Sequence, residues 1–305
     1  MILYTRAVHI HSSPMNPTPQ RDFSTISPSA RSLLIMKGHT DIPYARQTAE
    51  LITLPAFFTP DFNRRDLSFW ARVLHFENRY KSIDKLLDDI PAGNILELSS
   101  GYSFRGLVRT SEAGCHYIDT DLPHMAEMKK SLAEALLDGQ ERSNLHFLAL
   151  NALDEAQFRE VVGLFPAEEL TIVNEGLLMY LNRAEKEKLC GIIRRVLEER
   201  DGCWITSDIY IRDILKKIKI EIEDQSRAFF DQHKIEENKF RSFSEARAFF
   251  KEMGFMVEKE AVTDYSKLSS FRYFKQSLKM KDIFRIGKGG RMQATWRLTL
   301  KAPSL

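Results

Sequence analysis

Five acids and an asparagine recur between residues 97 and 208: Glu97, Asp119, Asp121, Asn151, Glu175 and Asp208. Each falls at or near the end of a short apolar run that reads as a buried strand, and in open α/β sheets ligands bind beyond the carboxyl ends of the strands. Taken singly, each has a plain structural explanation. Asp121, two residues before Pro123, can cap a helix, Gly101 can make a turn, and Glu175-Gly176 can end a strand. Taken in order they outline a site. A loop carrying Gly101, followed 18 residues later by Asp119 and then Asp121, suits an adenosine ligand. The small residue admits the ligand to the backbone, and a carboxylate accepts both ribose hydroxyl protons. Gly101-Tyr102-Ser103-Phe104-Arg105-Gly106 is not a GxGxxG, so no pyrophosphate cradle is evident. Glu97, at the mouth of the first strand, would repel a pyrophosphate and suit a cation. Both features favour S-adenosylmethionine over a nicotinamide dinucleotide.

The elements that must carry these residues alternate. Strands are expected at 94–98, 115–119, 145–150, 170–174 and 203–207. Helices with apolar residues at helical spacing lie between them, one through Phe158, Val161, Val162 and Phe165, another through Leu189, Ile192, Ile193, Val196 and Leu197. Asn182 with Glu185 reads as a capping box, and Asp201-Gly202 as the stop of that helix. Such alternation predicts a doubly wound parallel sheet covered on both faces. Upstream, the pattern from 41 to 91 is helical and Pro91-Ala92-Gly93 breaks it. Downstream, 209–232 reads as a long amphipathic helix through Ile211, Ile214, Leu215, Ile218 and Ile222, and 233–239 as a solvated charged loop. Ser242 and Glu245 open a further helix that Gly254 ends. Two late strands, at 255–258 and 294–300, without a clear crossover between them, predict an antiparallel edge.

Composition narrows the classes. The 305 residues carry 44 basic and 42 acidic side chains, a formal charge of +2, which gives no general basis for nucleic-acid binding. No apolar run approaches the ~18 residues that span a bilayer, so no membrane is expected. Cys115, Cys190 and Cys203 stand far apart, with neither metal-ligand spacing nor an even count. They read as small buried residues in a reducing, cytoplasmic chain. Residues 1–31, rich in Ser and Pro, read as a mobile tail whose Arg6, Arg21 and Arg31 face one acid, Asp22.

Three motifs then carry a resemblance. Glu97-Leu98-Ser99-Ser100-Gly101-Tyr102-Ser103-Phe104-Arg105, Tyr117-Ile118-Asp119-Thr120-Asp121-Leu122-Pro123 and Asn174-Glu175-Gly176-Leu177-Leu178-Met179-Tyr180-Leu181 appear in this order. They resemble the motifs of the leucine carboxyl methyltransferase group, which includes polyketide-tailoring O-methyltransferases; the third is similar to that group's E-G-L-L-M-Y-L almost letter for letter. The resemblance covers residues 94–208 well and 32–90 loosely. It implies a Rossmann-like, seven-stranded class I methyltransferase sheet with one antiparallel edge strand, and S-adenosyl-L-methionine as cofactor. By position it implies that Ser99 and Gly101 approach the cofactor, that Asp119 and Asp121 supply the acid for the ribose, and that Asn151 and Ala152 meet the adenine. Glu175 would hold the methionine end, and Arg79 would match the arginine for the cofactor carboxylate. Lys37 reads as an exposed surface lysine. Three positions depart from the group: Ser99 replaces a glycine, Ser103 an aspartate and Asn151 an acid.

The expectation is therefore an O-methyltransferase acting on a small molecule or a carboxylate acceptor. It is organised as a tail (1–31), a helical N-terminal cover (32–93) and a methyltransferase domain (94–305) with a helical lid insertion at 209–240. Ser99 and Ser103 motivate a rival reading, a catalytically weakened cofactor-binding descendant acting as a scaffold. A nicotinamide oxidoreductase is the third reading. Tyr180, His39 and His75 are the candidate general bases.

Overall fold

The computed structural model describes residues 27–214, 224–287 and 290–301. Three helices come first: α1 (Ser27–Lys37), α2 (Ala45–Thr53) and α3 (Leu67–Leu87). The helical pattern expected from 41 to 91 is thus interrupted over 54–66. Pro55 and Pro60 lack the amide protons a helix needs, and Asp66 restarts the helix by accepting from the Ser68 and Phe69 amides.

The seven strands are β1 (Asn94–Leu98), β2 (His116–Asp121), β3 (Leu145–Ala149), β4 (Leu170–Asn174), β5 (Gly202–Tyr210), β6 (Phe255–Glu260) and β7 (Gln293–Leu300). They form one sheet in the order β3-β2-β1-β4-β5-β7-β6. β1 to β5 are parallel, with Glu97 opposite Asp119 on one side and Val173 on the other. β7 runs antiparallel to both neighbours and lies one place in from the β6 edge. The connecting helices are α4 (Arg105–Arg109), α5 (Pro123–Leu137), α6 (Glu155–Val162) and α7 (Arg183–Arg200). Three more, α8 (Asp224–Gln232), α9 (Ile235–Asn238) and α10 (Phe243–Glu252), precede β6. α11 (Phe271–Ser277) and α12 (Met280–Gly287) precede β7.

Both faces of the sheet are buried, so its central strands show no polar alternation. Leu96, Leu98, Ile172, Trp204 and Leu298 pack under Phe158, Leu189, Ile193 and Phe250. Ile95, Tyr117, Val173 and Ile205 pack under Ile83, Leu86, Leu107 and Ala133. The sequence-read caps form as expected: Asn182 and Glu185 close a capping box on α7. Gly202 follows at φ 106°, where a Cβ would collide with the Leu170 carbonyl. All three cysteines are buried and free. Burial pushes the Cys115 and Cys203 thiols up to about 11. Among the described residues, no helix is long and apolar enough to cross a membrane, and no group of His, Cys, Asp and Glu is placed to hold a metal.

Two expectations fail in the region after β5. The long helix expected from 209 does not begin there, because β5 continues to Tyr210, with Ile209 opposite Ala294. Ile211 then pairs with Phe240. A strand buried on both faces has no period-two signature, and its isoleucines read equally well as a helical stripe. Leu215, Ile218 and Ile222 lie outside the described residues. The charged stretch 233–239 is also no solvated loop: His233 and Ile235 are buried, and Asn238 gives its carbonyl to Lys186 Nζ at 2.7 Å.

One buried carboxylate ties the first helices to the end of the chain. Glu77, on α3, is fully buried and accepts four hydrogen bonds. They come from the amides and hydroxyls of Ser269 and Ser270, at 2.5 to 2.9 Å. Glu77→Ala strands two amides without acceptors and should lower unfolding stability by about 2–3 kcal/mol. Urea titration measures this, and an unchanged midpoint would deny the four bonds any net contribution.

Candidate functional site

The loops after β1, β2, β3 and β4 surround one cavity, and α1 closes it from above. Ser29, Ala30, Leu33, Leu34 and Lys37 recur at helical spacing, so one face of α1 faces the cavity.

The loop after β1 carries Ser99 at φ 50° and Gly101 at φ 54°, both left-handed. Two acids of β2 hold it there. Asp121 Oδ2 accepts the Gly101 amide at 2.7 Å, and Oδ1 accepts the Leu122 amide at 2.7 Å. Asp119 accepts the Ser100 hydroxyl and pairs with Lys129 Nζ at 2.5 Å. The two acids therefore part company. Asp121 lines the cavity and has no ion-pair partner among the described residues; Asp119 lies below, bound by Lys129, and is not in the lining. Burial raises the Asp121 carboxyl, while the two amides pull it back.

Glu97, expected at the mouth of β1 to face a ligand, is absent from the lining as well. It is fully buried, paired with Arg105 and bonded by the Tyr117 hydroxyl at 2.6 Å. A guanidinium brought in by α4 claims this carboxylate, which the sequence could not show. Ser103, where the resembled group has an acid, lines the cavity.

At the end of β4, Glu175 lines the cavity among three cations. Lys37 Nζ lies 2.7 Å away, Arg79 Nη2 3.3 Å and Arg105 Nη2 3.5 Å. Burial alone would raise the Glu175 carboxyl; Lys37, Arg79 and Arg105 overcome it and hold it at about 2. Lys37 is only 9% exposed, which overturns its reading as a surface lysine. Its single signal in sequence is its place at the end of α1, and only the docking of α1 gives that place meaning. Gly176 sits at φ 88°, and a Cβ there would lie 2.9 Å from Arg79 Nη2. Asp208, also singled out in sequence, organises this loop from below. It accepts the Gly176, Leu177 and Leu178 amides at 2.6 to 3.0 Å and the Asn174 amide group at 2.7 Å.

After β3, Asn151 and Ala152 line the cavity beside Leu150 and Leu153. Asn151 Oδ1 accepts the Leu153 amide at 3.0 Å and keeps a second lone pair. Of the candidate bases, Tyr180 lines the cavity, and His39 and His75 do not. His39 bonds the Ile35 carbonyl at 3.0 Å and is edge-packed by Phe58, Phe69 and Trp70. Leu122 and Met125, which the sequence reading did not pick out, complete an apolar wall.

In the order of the strands, the cavity offers an apolar slot with an amide at β3 and a carboxylate at β2. Strained loop backbone follows at β1, and a carboxylate with two cations at β4. Three strand spacings amount to about 14 Å, a span suited to an extended nucleoside joined to an amino acid.

No family model matches the chain, and no curated protein matches it. Among solved structures it is similar to a DUF574 family protein from Streptomyces avermitilis, at 12% identity over 90% of this chain and 97% of that one, with a TM-score of 0.55. It is also similar to the magnesium protoporphyrin IX methyltransferase ChlM from Synechocystis with bound SAH, at 12% identity, 85% and 96% coverage and a TM-score of 0.46. A third is the mitomycin 7-O-methyltransferase MmcR, at 14% identity, 90% and 67% coverage and a TM-score of 0.44. The sheet order and the first of these likenesses establish the fold, a Rossmann-like, doubly wound seven-stranded sheet with one reversed strand.

Two outcomes follow. A Cβ in the left-handed region costs roughly 1–2 kcal/mol, part of which glycine returns as chain entropy. Ser99→Gly should therefore raise stability by about 1 kcal/mol, seen as a higher urea midpoint; a lower one would refute the strain. Glu175 has a folded-state pKa below its ordinary 4.5, so its contribution to stability is complete above pH 4.5 and is lost as pH falls through about 2. Glu175→Gln should flatten the acid limb of the stability profile in that window, and an unaltered limb would contradict the assignment.

Proposed function

We propose that the chain is an S-adenosylmethionine-dependent O-methyltransferase acting on a small molecule or a carboxylate. The observation that carries this reading is the order of groups along the strand ends. Asn151 and Ala152 with Leu150 and Leu153 would take the adenine, and Asp121 the ribose hydroxyls. Lys37 and Arg79 would bind the carboxylate of the methionine end and Glu175 its ammonium. Two cations against one carboxylate leave a net positive charge for an anion to offset. The three motifs similar to the leucine carboxyl methyltransferase group support the same reading, as do the methyltransferases among the structures it resembles. Gly101 and Ser99 would bring loop backbone against the ligand. Asp119 and Glu97 would act on this loop from beneath rather than on the cofactor.

When bound, the cofactor supplies an activated methyl group. The protein's part is to bind, orient and exclude water. The apolar face of α1 would shut solvent out, strengthening every charge interaction inside. No histidine lines the cavity among the described residues, and Tyr180 is its one candidate base from the sequence. Burial raises the Tyr180 phenol, so it would enter neutral, as a hydrogen-bond donor that orients the acceptor oxygen. A carboxylate acceptor needs no proton removed before attack.

S-adenosylhomocysteine at a hundredfold excess over its dissociation constant should stabilise the fold by about 2.7 kcal/mol, read as a thermal shift. Asp121→Ala should weaken its binding. No shift with folded protein sinks the proposal. Binding without transfer to any acceptor in a broad panel would instead favour a non-catalytic descendant.

A further inference from the structure

Behind the cavity, two residues outside its lining extend a hydrogen-bonded chain from Arg79. Tyr210, the last residue of β5, is buried with its hydroxyl 3.2 Å from Arg79 Nη1 and 2.7 Å from His75 Nε2. A guanidinium can only donate, so the phenol oxygen accepts from Arg79. Its single proton is then free to go to His75 Nε2, which accepts when the imidazole carries its proton on Nδ1. In that arrangement the imidazole is neutral. Its surroundings agree: burial, with Arg79 and Lys239 nearby, lowers the His75 pKa to about 3 against the weaker opposing pull of Glu175. His75 and Arg79 stand one turn apart on α3 and so share a face.

The guanidinium is thus held from two sides. Nη1 goes to Tyr210 and Nη2 to Glu175, while Nε has no partner among the described residues. An arginine beside a carboxylate tends to close a two-pronged pair with it. The Tyr210 hydroxyl competes for one prong and keeps Arg79 from folding wholly onto Glu175, and Gly176 leaves room for that pose. Neither Tyr210 nor His75 reaches the cavity, and Arg79 does.

We propose that Tyr210 and His75 are positioning residues that hold the Arg79 guanidinium for a ligand carboxylate, and so make the cavity selective for nucleosides that carry an amino-acid end. This rests on the cofactor reading above. The test compares two probes on the full chain: S-adenosylhomocysteine and 5′-methylthioadenosine, which shares the purine, ribose and thioether but has no carboxylate. Tyr210→Phe keeps the packed ring and removes the hydroxyl. It should weaken S-adenosylhomocysteine about tenfold, the size of one hydrogen bond to a charged group, and leave methylthioadenosine unchanged. His75→Leu should do the same to a smaller extent, and His75→Gln, whose side-chain oxygen can accept the phenol proton, should restore selectivity. Should Tyr210→Phe not fold, the two His75 variants carry the comparison. Equal losses for both probes would mean a purely structural role and would overturn the proposal, as would an unchanged S-adenosylhomocysteine affinity. If the unaltered chain binds neither probe, the cofactor reading itself is what fails.

Discussion

Arg105 is 1% exposed and holds the molecule's layers together by charge. Its guanidinium pairs with Glu97 of β1, with Asp84 of α3 at 2.8 Å and with Glu175 beyond β4 at 3.5 Å. It also reaches the Tyr80 carbonyl, and its plane lies over the Tyr80 ring. A buried guanidinium is tolerable only when its donors are met, so the places of α3, β1 and the β4 loop are mutually dependent. Removing any one carboxylate would leave the charge short of a partner in a medium that screens poorly. The cavity inherits its geometry from this condition, because Glu175 is at once a partner of Arg105 and part of the wall.

The same accounting changes the electrostatic picture of the strand ends. In sequence, Glu97, Asp119, Asp121, Glu175 and Asp208 suggest a negative rim. In the fold most of that charge is spent internally. Glu97 is taken by Arg105, Asp119 by Lys129, and Asp208 by three amides and Asn174. Glu175 is outnumbered by cations. Asp121 alone faces the cavity without an ion-pair partner among the described residues. The rim is therefore polarised, with negative character at β2 and positive character at β4, a pattern that matches a ligand bearing hydroxyls at one place and a carboxylate at another.

Much of the fold was legible because its signals are local. The five parallel strands, the Asn182–Glu185 box, the Gly202 stop and the Ser242-capped helix all depend on residues within a few positions of each other. The failures have a common cause. Ile209 and Ile211 look alike whether buried in a strand or on a helix, and β7 decides between the two by pairing with Ile209. His233 and Ile235 sit among charges, and only the neighbouring α7 and its Lys186 make an interior of that stretch.

The candidate site divides along the same line. Residue type and order by themselves determined which loops meet at the strand ends, since a parallel doubly wound sheet brings every β-to-α loop to one edge. Gly101, Ser99, Asp121, Asn151, Ala152 and Glu175 reach the cavity for that reason. Tertiary packing alone decided which of two acids, two residues apart, faces inward. Asp119 and Asp121 lie two residues apart on one face of β2; Lys129 of α5 claims the first, while the second, at the strand's end, holds the Gly101 and Leu122 amides. It also decided that Lys37 and Tyr210, 173 positions apart in the chain, act on the surroundings of one arginine. Ion pairs and hydrogen bonds between distant segments leave no periodic trace in sequence, because their partners are chosen by the fold and not by spacing.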